Sequence, residues 1–436
     1  MTTNDQWNGF GFDTRQVHAG EAEERNHGAR ITPIYLTAAY RFASLDEAEA
    51  RFTGADAGQL YSRNLNPTHL VAEERIASLE GGTGAIVVGS GQAAISALLL
   101  GLAASGDHLV STASIYSGTR ILFDRTFARF GVSTDYVYDP RDAEEWERLI
   151  RPETKAVFVE TIPNPKNDLV DIAAVAEITR RHGIPLVVDN TVATPYLIRP
   201  LEHGADVVVH SSTKFLTGHG AALSGAIVDG GSFDWVGSPR DYPGLTEPMA
   251  PGKPSFVDAY RERALEAYLR FGIVNDLGPA LSPVNSFLLQ QGIETLSLRM
   301  AKHLENSRVI AAWLDRHPAV ESVDFAGLPH NEYHEIAQRL YGGRAGSVFA
   351  FTVRGGRAAA ERFFDALRLV SRMTNIGDVR SMALHPATTT HVSFSAQERE
   401  RLGISDGLIR LSVGIETVDD LIADLDQALT IAGAAG

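Results

Sequence analysis

Few side chains can bond covalently to a carbonyl carbon, and this chain offers few candidates. Its 436 residues include no cysteine and only five lysines: Lys155, Lys166, Lys214, Lys253 and Lys302. The missing cysteines exclude a thiol nucleophile, disulfides, Cys-ligated zinc and iron–sulfur clusters. Among the lysines the settings differ. Lys155 precedes an apolar run at its amino end, Lys253 lies in a long Gly/Pro-rich loop, and Lys302 falls on a helical pattern. Lys166 sits in the polar stretch Pro165-Lys166-Asn167-Asp168. Lys214 stands in His210-Ser211-Ser212-Thr213-Lys214-Phe215-Leu216-Thr217-Gly218-His219-Gly220, which is apolar, hydroxyl-rich and Gly-flanked. Burial there disfavours the ammonium form and lowers its pKa. A neutral amine can condense with a carbonyl. Read alone, the same stretch is equally well a polar loop with a solvated lysine.

Two more constellations carry chemistry. Gly89-Ser90-Gly91-Gln92-Ala93-Ala94 follows the apolar run Ala85–Val88 and fits G-x-G-x-x-A, a turn that aims backbone N–H groups at a phosphate. A nicotinamide site would want an acidic residue at the end of the next strand. That run, His108–Thr112, ends in Ser111-Thr112, so the phosphate reading stands and the dinucleotide reading weakens. The second is Val187-Val188-Asp189-Asn190-Thr191, where a carboxylate closes an apolar run. By itself Asp189 is better explained as a cap of the following turn.

The elements that must position these groups are readable. Apolar runs at Ala85–Gly89, His108–Thr112, Val132–Val137, Ala156–Thr161, Leu186–Asp189, Asp206–Ser211 and Gly225–Asp229 alternate with helical patterns. Such alternation predicts crossover units and a mainly parallel, seven-stranded sheet covered on both faces. Ligands of these sheets bind at the carboxyl ends of the strands. The phosphate turn, Asp189 and Lys214 all fall at that edge. A phosphate site, a carboxylate and a Schiff-base lysine together describe a pocket for pyridoxal 5'-phosphate, where the carboxylate keeps the pyridine nitrogen protonated.

Residues 1–66 lack periodicity and read as an extended arm with short turns, which must lie on the rest of the chain or on another subunit. Residues 67–290 form the large domain, and Gly231–Pro254 reads as a long loop. Residues 291–436 form a smaller α+β domain, with a long helix carrying Leu296, Met300, Leu304, Ser307, Ala311 and Leu314 on one face. A helix at Ala358–Leu369 and strands at Ser347–Val353 and Leu408–Val413 complete it. The formal net charge of −15 argues against nucleic acid. No apolar run reaches the roughly 18 residues of a membrane span. The polar start Met1–Asp13 lacks a secretory pattern, so a cytoplasmic location is expected. No metal site is expected.

The chain resembles the Cys/Met-metabolism family of pyridoxal phosphate enzymes, fold type I. The carriers are Tyr61-Ser62-Arg63 before Asn66-Pro67-Thr68, then Ser90-Gly91-Gln92, Tyr116, the stretch Glu160 to Pro165 with Asn164, Asp189 with Thr191, Ser211-Ser212-Thr213-Lys214, and Arg410 in Ile409-Arg410-Leu411-Ser412. The resemblance implies that Tyr61 and Arg63 reach the cofactor phosphate of a neighbouring subunit. Ser90, Gly91, Gln92, Ser211 and Thr213 would hold the phosphate within the chain. Tyr116 would stack on the ring, and Asn164 would contact it. Asp189 and Thr191 would form the pyridine side, with Lys214 forming the Schiff base. Arg410 would clamp the substrate α-carboxylate, a role its planar fork suits. An internal ion pair is the competing use of Arg410. A homotetramer built from dimers with shared active sites is implied as well.

Within the family, Asn375-Ile376-Gly377-Asp378, Val379-Arg380-Ser381 and His385-Pro386-Ala387-Thr388 are similar to the O-acetylhomoserine sulfhydrylase branch. Asn375 stands where many relatives carry Ser. It and Tyr61 are expected at the substrate. Arg380 stands where cystathionine-handling relatives carry Glu. The implied reaction is γ-replacement, O-acetylhomoserine plus sulfide giving homocysteine and acetate for methionine biosynthesis. Lys214, Tyr116 and Asp189 would be the catalytic groups. Cystathionine γ-synthase or methionine γ-lyase activity would use the same pocket. A nicotinamide oxidoreductase would rest on Gly89–Ala94 alone.

Overall fold

Valine-, isoleucine- and alanine-rich runs bounded by turn residues fold as the strands that their composition favours. A computed structural model describes residues 7, 9–21, 27–56 and 58–433. The strands are β1 (Gly84–Val88), β2 (His108–Thr112), β3 (Ser133–Val137), β4 (Thr154–Glu160), β5 (Leu186–Asp189), β6 (Val207–His210) and β7 (Gly225–Asp229). They form one sheet in the order β1-β7-β6-β5-β4-β2-β3. β7 alone runs opposite to the other six strands. The strands lie where the apolar runs put them, with ends shifted by at most two residues.

Both faces of the sheet are buried, and β1 shows how. Ala85 and Val87 join one apolar cluster, with Ile76 and Leu79 of a preceding helix. Ile86 and Val88 join the other, with Ile95 and Leu98 of the following helix. Those helices are α3 (Pro67–Glu80) and α4 (Gly91–Leu102). Asn66 caps α3 by accepting the Thr68 N–H, and Pro67 sits in its first turn.

The amino-terminal arm departs from the expected extended chain, because it contains two helices. The first, α1 (Phe12–His18), docks on the body of the protein. Its buried Arg15 donates to the Ser78 carbonyl, and Gln16 exchanges hydrogen bonds with Ser297. The second, α2 (Leu45–Thr53), is locally encoded: Ser44 caps Glu47 N–H, and Gly54 ends the helix in the left-handed conformation. None of its residues is buried. The expected loop after β7 also contains a short helix at Pro243–Thr246.

A short helix, α5 (Ser117–Ile121), follows β2, and the long helix α6 (Leu296–Leu314) has the bounds its periodicity predicts. The second sheet has strands β8 (Val320–Asp324), β9 (Val348–Val353), β10 (Ser371–Arg372), β11 (Met382–Leu384) and β12 (Leu408–Ser412), ordered β10-β11-β12-β9-β8. One apolar cluster runs from the first sheet through α6 into the second. No described helix is long and apolar enough to cross a membrane.

Candidate active site

The carboxyl ends of β4, β5 and β6 stop side by side, and the start of α4 lies beside them. The cavity at this edge is lined by Ser90, Gly91 and Gln92 from α4 and by residues following each strand, and Arg410 of β12 closes it from the second sheet. The sheet order therefore gathers groups separated by hundreds of residues.

Lys214 is the only lysine lining this cavity. Lys155 turned out to lie within β4, at the opposite edge, where it donates to the Asp241 carbonyl. Lys166 is paired with Asp324 at 3.2 Å and Asp168 at 3.8 Å. Lys302 pairs with Glu305. Among the described residues no carboxylate lies within ion-pair distance of Lys214, whose Nζ donates to Asn375 Oδ1. Burial, and then the positive charge of Arg410, bring its pKa down to about 8. Gly377 adopts φ +73, and a Cβ there would approach Phe215 N to 2.7 Å, so this glycine lets the 374–378 loop rest on the Lys214 backbone.

Two buried carboxylates face each other across β4 and β5, where Glu160 and Asp189 are register partners. Burial raises both above the usual carboxylate range. Asp189 raises Glu160 further, whereas Thr191 and His210 partly offset the rise at Asp189. Thr191 N–H donates to Asp189 Oδ1 at 2.9 Å. Glu160 Oε1 accepts the Tyr116 N–H at 2.7 Å and so fixes the backbone that carries the Tyr116 ring. Asn164 also lines the cavity. Sequence reasoning gave Glu160 no role, although the strand-end rule that selected Asp189 applies to it equally.

The anion-binding end is built on α4. Ser90 caps the helix by accepting Ala93 N–H, which leaves its hydroxyl proton free to donate. Gly91 is required by proximity, since a Cβ there would come within 2.6 Å of the Ser211 Cβ. Ser211 N–H in turn donates to Thr191 Oγ1 at 2.7 Å. Thr213 faces the same cavity, but its hydroxyl already donates to the Ser224 carbonyl.

Arg410 sits on an interior strand and is only 2 % exposed. Its Nη2 donates to the Thr374 and Asn375 carbonyls at 3.2 and 2.9 Å. No acidic partner lies within ion-pair distance among the described residues, and Nε has no hydrogen-bond partner there. The internal ion pair entertained for this residue is therefore absent. Burial pulls its pKa down to about 10. A buried, uncompensated guanidinium opposite Lys214 suits an incoming carboxylate.

The chain matches the model of the Cys/Met metabolism PLP-dependent enzymes over residues 13–430. The chain belongs to this family. It is 45% identical to the O-acetyl-L-homoserine sulfhydrylase of Corynebacterium glutamicum, over 97% of each chain. It is 42% identical to the O-succinylhomoserine sulfhydrylase of Pseudomonas aeruginosa, covering 97% of this chain and 96% of that one. A solved structure of a putative O-acetylhomoserine (thiol)-lyase from Campylobacter jejuni, which carries a pyridoxyl-lysine, superimposes with a TM-score of 0.93 at 36% identity. That match covers 97% of this chain and all of the other. The cofactor of the family is pyridoxal phosphate, and the cavity fits it: a helix start for the phosphate, a buried carboxylate at a strand end, and a buried amine with no carboxylate partner among the described residues.

Tyr61 and Arg63 do not line the cavity of their own chain. Both are exposed on the arm, and the Arg63 guanidinium lies 5.2 Å from the centre of the Tyr61 ring. Asn375 touches Lys214 directly, as described above. Arg380 is solvent-exposed and pairs with Asp378 at 3.0 Å.

Proposed function

We propose that this protein is an O-acetylhomoserine sulfhydrylase, which joins O-acetylhomoserine and sulfide to give homocysteine and acetate. The reading rests on one observation: an uncompensated Arg410 sits opposite a depressed-pKa Lys214, in a chain full-length-similar to enzymes of that name. Arg410 binds and orients the α-carboxylate, placing the substrate amine and Cα near Lys214. Bound pyridoxal phosphate supplies an aldehyde for a Schiff base and a ring that withdraws electrons from the substrate. Lys214 is the amine that would hold the cofactor, and its amine would move protons at the substrate carbons. Asp189 holds the proton of the pyridine nitrogen. Glu160 keeps the Tyr116 loop in place so that the ring can stack on the cofactor. Ser90, Gly91, Gln92 and Ser211 receive the phosphate, with Thr213 joining only by leaving Ser224.

Tyr61 and Arg63 complete the phosphate site of a second subunit, and the working assembly is a homotetramer built from two such dimers. The exposed pair on the arm supports this, because neither side chain lines the cavity of its own chain. Steady-state turnover of acetyl, succinyl and phospho homoserine, each with sulfide and with cysteine, tests the function. Homocysteine from the acetyl ester and sulfide, at the highest kcat/KM of the set, is expected. Preference for the succinyl ester or for cysteine would move the enzyme to a neighbouring activity, and release of an α-keto acid without sulfide consumption would make it a lyase.

A further inference from the structure

Behind the cavity lies a buried pair that the reaction as described does not use. Glu80 is the last residue of α3, and His210 is the last residue of β6. Both side chains are wholly buried, and His210 Nε2 lies 2.7 Å from Glu80 Oε1. The same oxygen accepts the side-chain N–H of Asn190 at 2.8 Å. Nothing about the helix favours a carboxylate there. The carboxyl end of a helix repels negative charge, and α3 has no basic residue in its last turn. Burial penalises the charge again. Yet each partner of Glu80 adjoins the site. Asn190 lies between Asp189 and Thr191, and His210 directly precedes Ser211.

We propose that Glu80 and His210 are positioning residues that keep Asp189 an anion facing the ring nitrogen of the cofactor. Glu80 holds the proton on His210, and the resulting imidazolium offsets the burial of Asp189 from behind. The titratable groups acting on Asp189 are then Glu160, its register partner on β4, and His210 on β6, which acts from the other face of the sheet. His210 faces Glu80 on α3 as well. Glu80 also ties the ends of β5 and β6 together through Asn190 and His210, which sets the spacing between Thr191 and Ser211 that their 2.7 Å hydrogen bond requires. The inference rests on the assignment of Asp189 to the ring nitrogen made above.

The test uses the holoenzyme and the substitutions Glu80→Gln, His210→Asn and Asp189→Asn. Glu80→Gln keeps an acceptor for Asn190 but removes the charge. The readouts are the pH titration of the visible absorbance of the bound cofactor and the cofactor dissociation constant. Glu80→Gln and His210→Asn should both move the absorbance midpoint in the direction seen for Asp189→Asn and weaken cofactor binding about tenfold. Unchanged midpoints in both, with Asp189→Asn shifted, overturn the pair while sparing the role of Asp189. An unmoved spectrum in Asp189→Asn overturns that role and the pair with it. Should the variants fail to fold, nitrogen NMR of the histidine-labelled wild-type holoenzyme decides. His210 protonated on both nitrogens at neutral pH supports the pair, and a neutral His210 overturns it.

Discussion

A primary amine attacks a carbonyl only while its nitrogen keeps a lone pair, so the pKa of Lys214 governs how readily the enzyme takes up its cofactor. With that pKa near 8, the neutral form grows as pH rises and dominates above it. Reconstitution of the apoenzyme with pyridoxal phosphate should therefore accelerate with pH and level off above about 8. Stopped-flow absorbance measures this, and a rise continuing towards the ordinary lysine pKa would show that burial has not lowered it. Arg410 makes the complementary case. Its guanidinium rests on two carbonyls and, among the described residues, has no counter-ion to strand. Arg410→Ala should keep the cofactor absorbance and thermal midpoint while losing about 2–5 kcal/mol in kcat/KM for the amino-acid donor. Arg410→Lys keeps the charge without the fork and should lose most activity too. Near-native kinetics in either variant would remove Arg410 from substrate recognition.

Among the elements, the start of α4 carries the tightest geometric demand. It must pass so close to β6 and β7 that side chains are excluded at two places. A Cβ on Gly91 would press on Ser211, and one on Gly225 would come within 2.0 Å of the Ser90 carbonyl. Both obstructions include backbone, which cannot swing aside. Gly91→Ala and Gly225→Ala should each push the phosphate turn off its seat and raise the cofactor dissociation constant, Gly225→Ala more. The expected size is about 1–3 kcal/mol, the usual cost of overpacking. Equilibrium dialysis against pyridoxal phosphate reads this directly, and unchanged affinity would mean that the turn does not hold the phosphate. Little of this crowding can be read in the sequence. The G-x-G-x-x-A turn is visible there, but its neighbour Gly225 lies 134 residues further on and becomes relevant only when β7 pairs with β1.

At the scale of the whole molecule, the middle of the arm buries little of its apolar surface. The first helix of the arm is anchored through Arg15 and Gln16, yet α2 buries nothing, and Ile31, Leu36, Leu45 and Phe52 are all at least half exposed. Apolar surface left open in this way is favourable to cover. A neighbouring subunit that accepts Tyr61 and Arg63 would do so. Mixing Arg63→Ala and Lys214→Ala subunits should then restore part of the lost activity, since one hybrid site contains neither substitution. Absence of recovery, with subunit exchange demonstrated by mass spectrometry, would place Arg63 outside any shared site.

Lysine 214, Asp189 and the phosphate turn are legible from sequence alone for a physical reason. Strand identity depends on local apolar runs, and the edge at which ligands bind follows from strand direction. The long helix Leu296–Leu314 is legible for the same reason, since its periodicity is local. Helix α2 was within reach through the Ser44 and Glu47 capping pattern, but its lack of a buried face hid it from periodicity. Tertiary structure decided the rest, because strand order and register are set by packing between distant segments. Only folding places Glu160 beside Asp189 and Glu80 against His210, 130 residues away. It also leaves Arg410 without a counter-ion, the feature that separates a waiting carboxylate clamp from an ordinary internal ion pair.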